Sequence, residues 1–141
     1  MSVDIRPILL VEDNPMDVDL TRRAFARQKI SNPIQIARDG EAAISFIDKW
    51  AEGELLPQII LLDLKLPRVD GLDVLQRLKT HPIYRQIPVI ILTSSSDSGD
   101  ISRAYQLGAN SYIIKPVDFD KFLEVANLLH SYWCNMNTQP G

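Results

Sequence analysis

Four short, almost wholly apolar runs, each ending on a polar or charged side chain, constrain this chain more than any other feature. They are Pro7-Ile-Leu-Leu-Val-Glu12-Asp13, Gln58-Ile-Ile-Leu-Leu-Asp63, Pro88-Val-Ile-Ile-Leu-Thr93 and Ser111-Tyr-Ile-Ile-Lys115-Pro116. A strand with no polar face belongs where both faces of a sheet are covered, and helix-like segments lie between the runs. Alternating strands and helices argue for a parallel sheet. In open sheets of this kind the ligand crevice lies outside the carboxyl ends of the strands. Glu12, Asp13, Asp63, Thr93 and Lys115 are therefore expected to meet in one pocket.

The intervening segments supply five helices and one more strand. Asn14-Pro15 opens the first helix with a cap and a proline suited to the first helical position, and Met16, Leu20 and Ala24 recur every four residues. Pro33 and the alternating Ile34 and Ile36 indicate an edge strand, and Ala43, Ile47 and Trp50 an inward helical stripe. Leu72, Leu75 and Leu78 mark a short third helix. Ser96-Asp97 offer caps for a fourth that Gly108 can end, and Asp118 or the residues just before it start the last. The resulting (βα)5 order predicts an α/β, flavodoxin-like doubly wound sheet of five parallel strands in the order 2-1-3-4-5.

The 141 residues suit one domain, taken as 1–136, followed by a loose tail at 137–141. A formal net charge of −3 gives no basic footprint for nucleic acid or a membrane surface. No apolar stretch nears the roughly 18 residues of a membrane span. The lone Cys134 cannot form an internal disulfide, and no signal-peptide pattern stands at the N-terminus, so the expected location is the cytoplasm.

The pocket chemistry follows from the donor types. Glu12, Asp13 and Asp63 concentrate like charges that are unfavourable unless a cation joins them. Oxygen ligands that leave room for waters and phosphate favour Mg²⁺. With Lys115 as a fixed ammonium and Thr93 as a hydroxyl donor, the set would grip a phosphoryl group, whose transfer needs mainly in-line positioning and charge stabilisation. Asp63 ends the most continuously apolar run and is the expected nucleophile.

Taken jointly, Val11-Glu12-Asp13-Asn14, Leu62-Asp63-Leu64-Lys65-Leu66-Pro67-Arg68-Val69-Asp70-Gly71, Leu92-Thr93-Ser94-Ser95 and Gly108-Ala109-Asn110-Ser111-Tyr112-Ile113-Ile114-Lys115-Pro116 resemble the response-regulator receiver domains of two-component signalling. The resemblance covers nearly the whole chain. It implies that Asp63 accepts phosphate from a histidine kinase, that Asp13, Asp63 and the Lys65 carbonyl ligate Mg²⁺, and that Glu12 holds a metal-bound water. It makes Thr93 and Tyr112 the switch pair, Lys115 the phosphate-pairing cation, and the face of the fourth helix, fifth strand and fifth helix the surface that acts on a downstream protein. It also implies a cis Lys115-Pro116 bond. Glu12-Asp13-Asn14-Pro15, the loop around Gly53 and Tyr132-Trp133 look like the small regulators that partner bacterial phytochromes. Lys65 and Ser95 would flank the water that hydrolyses the phosphate, with the Lys65 ammonium lying over the phosphoryl group.

The last helix is apolar over roughly 200°, about twice the stripe that packs a helix on a sheet. Phe122, Val125, Leu129, Tyr132 and Trp133 are therefore expected in a homodimer interface; the alternative is a monomer whose long polar chains cover the arc. Asp118 and Asp120 read as helix-start acids, His81 and His130 as ordinary surface residues. Two other functional readings are a receiver-like interaction module that is never phosphorylated, and an aspartyl-phosphate hydrolase. The hydrolase wants an acid two residues after the nucleophile, where this chain has Lys65.

Overall fold

The structure is a computed structural model and describes residues 5–138. Five strands, β1 (Ile8–Val11), β2 (Ile34–Ala37), β3 (Ile59–Leu62), β4 (Val89–Thr93) and β5 (Ser111–Ile114), pair in parallel in the order β2-β1-β3-β4-β5. Register is continuous across the sheet: Val11 lies beside Ala37 and Leu62, Leu62 beside Ile91, and Thr93 beside Ile114. The carboxyl ends of β1, β3 and β4 therefore finish side by side. This is the predicted fold, and the described residues contain no helix long and apolar enough to cross a membrane.

Side chains alternate between the faces of a strand, so each apolar run feeds two cores at once. Leu9, Val11, Ile60, Leu62 and Ile91 point toward α2 (Gly40–Ala51), α3 (Gly71–Lys79) and α4 (Ser98–Gln106), meeting Ile47, Trp50, Leu75 and Leu78. Ile8, Leu10, Ile59, Leu61 and Ile90 point the other way, toward α1 (Pro15–Arg27) and α5 (Phe119–Leu129), meeting Val18, Phe25, Phe122 and Leu129. Each such side chain contributes about 1.5–3 kcal/mol when fully buried. The edge strands β2 and β5 are only partly covered.

The helix starts follow the capping logic. Asn14 accepts from the Met16 and Asp17 amides, and Asp97 and Asp118 cap α4 and α5. Gly108, at φ +104°, ends α4. Of the stripe expected for α1, Ala24 is buried and Leu20 packs against the core, but Met16 is corrected: it is 79% exposed, and Val18, Thr21 and Phe25 complete the buried face. Thr21 hides the true phase because it is polar, yet it is buried with its hydroxyl donated to the Asp17 carbonyl at 2.8 Å. His81 is also more than a surface residue, since it stacks on Tyr84 at 3.9 Å and accepts the Ile83 and Tyr84 amides.

α5 runs into a π-helical turn, His130–Met136, whose wider winding changes the angular positions expected from an α-helix. Within α5 itself Phe122 and Leu129 are sealed in the protomer's own core and Val125 is half-buried, as is Trp133 beyond it, leaving Leu128 (65%) and Tyr132 (49%) as the exposed part of the arc. Of the expected tail, residues 139–141 lie outside the described residues.

Gly71 positions the candidate acceptor. A β-carbon there would come within 2.3 Å of the Asp63 carbonyl and 2.6 Å of the Leu64 α-carbon, so only glycine lets α3 begin against the backbone that carries Asp63. Its amide donates to the Leu64 carbonyl at 3.1 Å. Gly71→Ala is expected to destabilise the protein by about 1–3 kcal/mol, in the range of other overpacking changes, as measured by urea unfolding.

Candidate functional site

The sheet brings Glu12, Asp13, Asp63, Thr93 and Lys115 to one cavity of about 210 Å³, as the sequence predicts. Glu12, Asp63 and Lys115 each sit one step past an apolar strand and Thr93 closes one, so backbone pairing rather than loop packing fixes their places, and Asp13 follows one residue later. Asp63 donates its amide to the Val11 carbonyl at 3.0 Å, and the Lys115 amide donates to Thr93 O at 2.8 Å. Glu12, Asp63 and Thr93 are buried, at 2%, 6% and 0% exposure; Asp13 is open to solvent.

Lys115 is the hub. Its ammonium donates to Glu12 Oε1, to Asp17 Oδ2 at 2.8 Å and to Asp63 Oδ2 at 2.9 Å. Burial pushes the Glu12 carboxyl from 4.5 up to about 7, against the opposing pull of Lys115. Burial acts on Asp63 in the same sense, but there the hydrogen bond and charge of Lys115, the Thr93 hydroxyl and the Lys65 amide outweigh it and hold the carboxyl below its usual value. Burial also works against the Lys115 charge, and its three carboxylate partners overcome that and raise it well above an ordinary lysine.

Asp17 is the residue that the sequence reading missed. Asn14-Pro15 starts α1 directly after Glu12-Asp13, which places Asp17 in the first helical turn, at the same end of the sheet as the pocket. That spacing was the available signal, but an acid in a first turn ordinarily reads as a complement to the helix dipole.

One oxygen from each of Glu12, Asp13 and Asp63 lies within 4.8 Å of the others. An all-oxygen, mostly buried set with more carboxylates than ammonium groups fits a hard divalent cation. The Lys65 amide donates to Asp63 Oδ1 at 3.2 Å, which fixes the backbone next to this cluster.

One expectation changes on contact with the geometry. The Lys115-Pro116 bond is trans, since no described peptide bond is cis. The β4–β5 ladder aims Lys115 without a cis bond, and trans is the lower-energy form of an X–Pro bond by about 0.5–1 kcal/mol. The Lys65 ammonium pairs with Asp100 Oδ2 at 3.3 Å, at the start of α4. The Tyr112 hydroxyl donates to the Ser95 carbonyl at 2.9 Å and ties β5 to the β4–α4 loop. Beside Tyr112 lies a groove of about 480 Å³ bounded by Tyr105, Val125, Leu128, Tyr132 and Trp133.

A doubly wound domain with an acid-rich, lysine-centred crevice at its switch point is the class that this fold and site define. The response regulator receiver domain family matches residues 8–127, and the chain belongs to that family. It is 42% identical over 135 residues to the probable methanogenesis regulatory protein FilR2 of Methanothrix harundinacea, covering 95% of this chain and 87% of that one. It is 36% identical over 136 residues to response regulator Rcp1 of Synechocystis, covering 95% and 92%. Among solved structures, the phosphorylated cyanobacterial phytochrome response regulator RcpA superposes with a TM-score of 0.89 at 32% identity, covering 98% of this chain and all of that one. The Mn²⁺-bound form of Rcp1 gives 0.86 at 34% identity, covering 96% and 99%. The chain is thus a receiver-domain response regulator homologous to phytochrome response regulators, with an acidic cluster able to hold a divalent metal.

The raised Glu12 carboxyl gives a pH prediction for the metal-free protein. Its folded value of about 7 lies above the ordinary 4.5, so the folded state binds this proton more tightly than the unfolded state. The resulting stability is fully present below about pH 4.5 and is lost as pH rises through about 7. Denaturant unfolding should show wild type losing more stability between pH 5 and pH 8 than Glu12→Gln does.

Proposed function

We propose that this chain is a signalling switch of the cytoplasm that accepts a phosphoryl group on Asp63 from a histidine kinase, and that the kinase is a phytochrome-type sensor. The observation that carries the reading is the convergence of Lys115, Thr93 and the Lys65 amide on the buried Asp63 carboxylate. Held below its usual value, that carboxyl is ionised at neutral pH and is a competent nucleophile. An Asp63 oxygen attacks phosphorus, the bond from phosphorus to the donor nitrogen breaks, and the electron pair leaves with the donor imidazole. Lys115 is already at hydrogen-bonding distance and follows the charge from the carboxylate to the phosphoryl oxygens. Thr93 donates its hydroxyl to the same group.

Mg²⁺ held by Asp13, Asp63 and the Lys65 carbonyl, with Glu12 on a bound water, would neutralise charge on the phosphoryl oxygens. The similarity to Rcp1 and RcpA supports a phytochrome partner for this chain. Thr93 and Tyr112 are the proposed switch pair. The Tyr112–Ser95 hydrogen bond connects the pocket loop to the groove between α4, β5 and α5, through which a downstream protein would be controlled. The protein catalyses no turnover of an external substrate in this reading; it promotes only its own phosphorylation and dephosphorylation.

With Mg²⁺ and a small phosphodonor, or with autophosphorylated kinases from a panel that includes phytochrome-type sensors, wild type should gain one hydroxylamine-labile phosphate by mass spectrometry. Asp63→Asn should gain none, and equal labelling of that variant would refute the acceptor assignment.

Exposed Leu128 and Tyr132 support a homodimer through the last helix, with Val125 and Trp133 at its edge. Sedimentation at micromolar concentration should give twice the chain mass for wild type and a monomer for Tyr132→Asp. A monomeric wild type, both with and without phosphodonor, would contradict the dimer.

A further inference from the structure

Beside the pocket lies a second charged assembly that the phosphoryl chemistry above does not use. Asp100, in the first turn of α4, accepts the Ser95 hydroxyl on Oδ2 at 2.6 Å, and the same oxygen lies 3.3 Å from the Lys65 ammonium. The Asp100 amide donates to Asp97 Oδ2 at 3.0 Å, and the Asp97 amide donates to the Ser95 hydroxyl oxygen at 3.3 Å. Asp100 is thus fastened by its own backbone turn and by Ser95. Lys65 is the movable partner: its side chain is 69% exposed against 21% for Asp100, and the ammonium has no other ion pair among the described residues. Exposed ion pairs of this kind are individually weak, so the bridge can be exchanged.

Lys65 is also the cation best placed to change partners. Its amide is bonded to Asp63 Oδ1, so its flexible stem begins beside the proposed acceptor. In the resting protein Asp63 has the Lys115 ammonium at 2.9 Å and exerts little further pull on Lys65. An acyl phosphate on Asp63 replaces a monoanion by a dianion, which attracts a second ammonium more strongly than a single carboxylate does.

We infer that Asp100 is a positioning residue for the Asp63 site: it holds the Lys65 ammonium away from the acceptor at rest and competes for it with the phosphoryl group once Asp63 is modified. This rests on the phosphoacceptor reading. The competition has two consequences. Lys65 that leaves Asp100 lies over the approach of the hydrolytic water, so the strength of the Asp100 bridge sets how long the phosphate lasts. Departure of Lys65 also frees the first turn of α4 from the β3–α3 loop, leaving Asp100 to Ser95, whose carbonyl holds Tyr112.

The test is a cycle of Asp100→Asn, Lys65→Met and the double variant, each labelled with a small phosphodonor and Mg²⁺ and followed for phosphate loss. Asp100→Asn keeps an oxygen for Ser95 while removing the charge that holds Lys65, so its phosphate should decay several-fold more slowly than that of wild type. Lys65→Met should decay faster than wild type, and Asp100→Asn should have no effect in that background. An Asp100→Asn effect of equal size with and without Lys65 would mean that Asp100 acts through the fold, and an Asp100→Asn rate equal to wild type where Lys65 is retained would mean no competition; either overturns the inference. Amide hydrogen exchange across residues 95–100 gives a readout independent of lifetime. It should quicken on phosphorylation in wild type and not in Asp100→Asn, and no change in wild type would overturn the release of α4. Wild type that takes up no phosphate would overturn the functional reading, and the competition with it, whereas phosphate uptake with flat kinetics across the cycle would overturn the competition alone.

Discussion

One buried ammonium among three carboxylates is the interaction on which this molecule turns. Without Lys115, Glu12, Asp17 and Asp63 would face one another across a small cavity with no protein cation to offset them, and two of the three are almost wholly withdrawn from water. Breaking a buried ion pair by removing one partner typically costs about 3–5 kcal/mol, because the remaining charge stays buried and unpaired. The arrangement is therefore poised rather than relaxed. Burial raises Glu12 to about 7 against the pull of Lys115, whereas at Asp63 the same cation, with Thr93 and the Lys65 amide, outweighs burial and holds the carboxyl ionised.

The sheet makes this constellation possible. β1, β3 and β4 are in register, buried on both faces and terminated together, so the residues that follow them are set by ladder hydrogen bonds and dense packing. Gly71 lets α3 close on the backbone of Asp63 from one side, and the β4–β5 pairing brings Lys115 from the other. The periphery is less tightly held. β5 is only partly covered, and its Tyr112 depends on a single hydrogen bond to a loop carbonyl, while Lys65 depends on a solvent-exposed ion pair. Weak, exchangeable contacts at the rim of a rigid pocket are where a change of charge can be converted into a change of surface.

The strands and their order were legible because runs such as Ile59–Leu62 have no polar face, which leaves few places for them except the middle of a covered sheet. The pocket was legible for the same reason: its members stand at the ends of those runs. Asp17 and Asp100 were not, since both occupy first helical turns, where an acid has an ordinary explanation, and only three-dimensional placement shows which cation each one meets. The phase of α1 was obscured by Thr21, a polar residue inside the buried stripe. The burial of Phe122 and Leu129 was not legible in the wide apolar arc, because the arc does not show how much of it the protomer's own core consumes, and no apolar pattern announces the π-helical winding that follows α5. The cis bond expected at Lys115-Pro116 came from resemblance rather than from any property of the residues, and the bond there is trans.

The central claim, that Asp63 itself becomes the acyl phosphate, is tested most directly by locating the modified residue chemically. After labelling with Mg²⁺ and a small phosphodonor, borohydride reduces an aspartyl phosphate to homoserine, and peptide mass mapping then reads the position. Homoserine at position 63, with Glu12, Asp13 and Asp17 unchanged, is the predicted result; reduction at another carboxylate, or an intact Asp63 in a chain that carries phosphate, would contradict it.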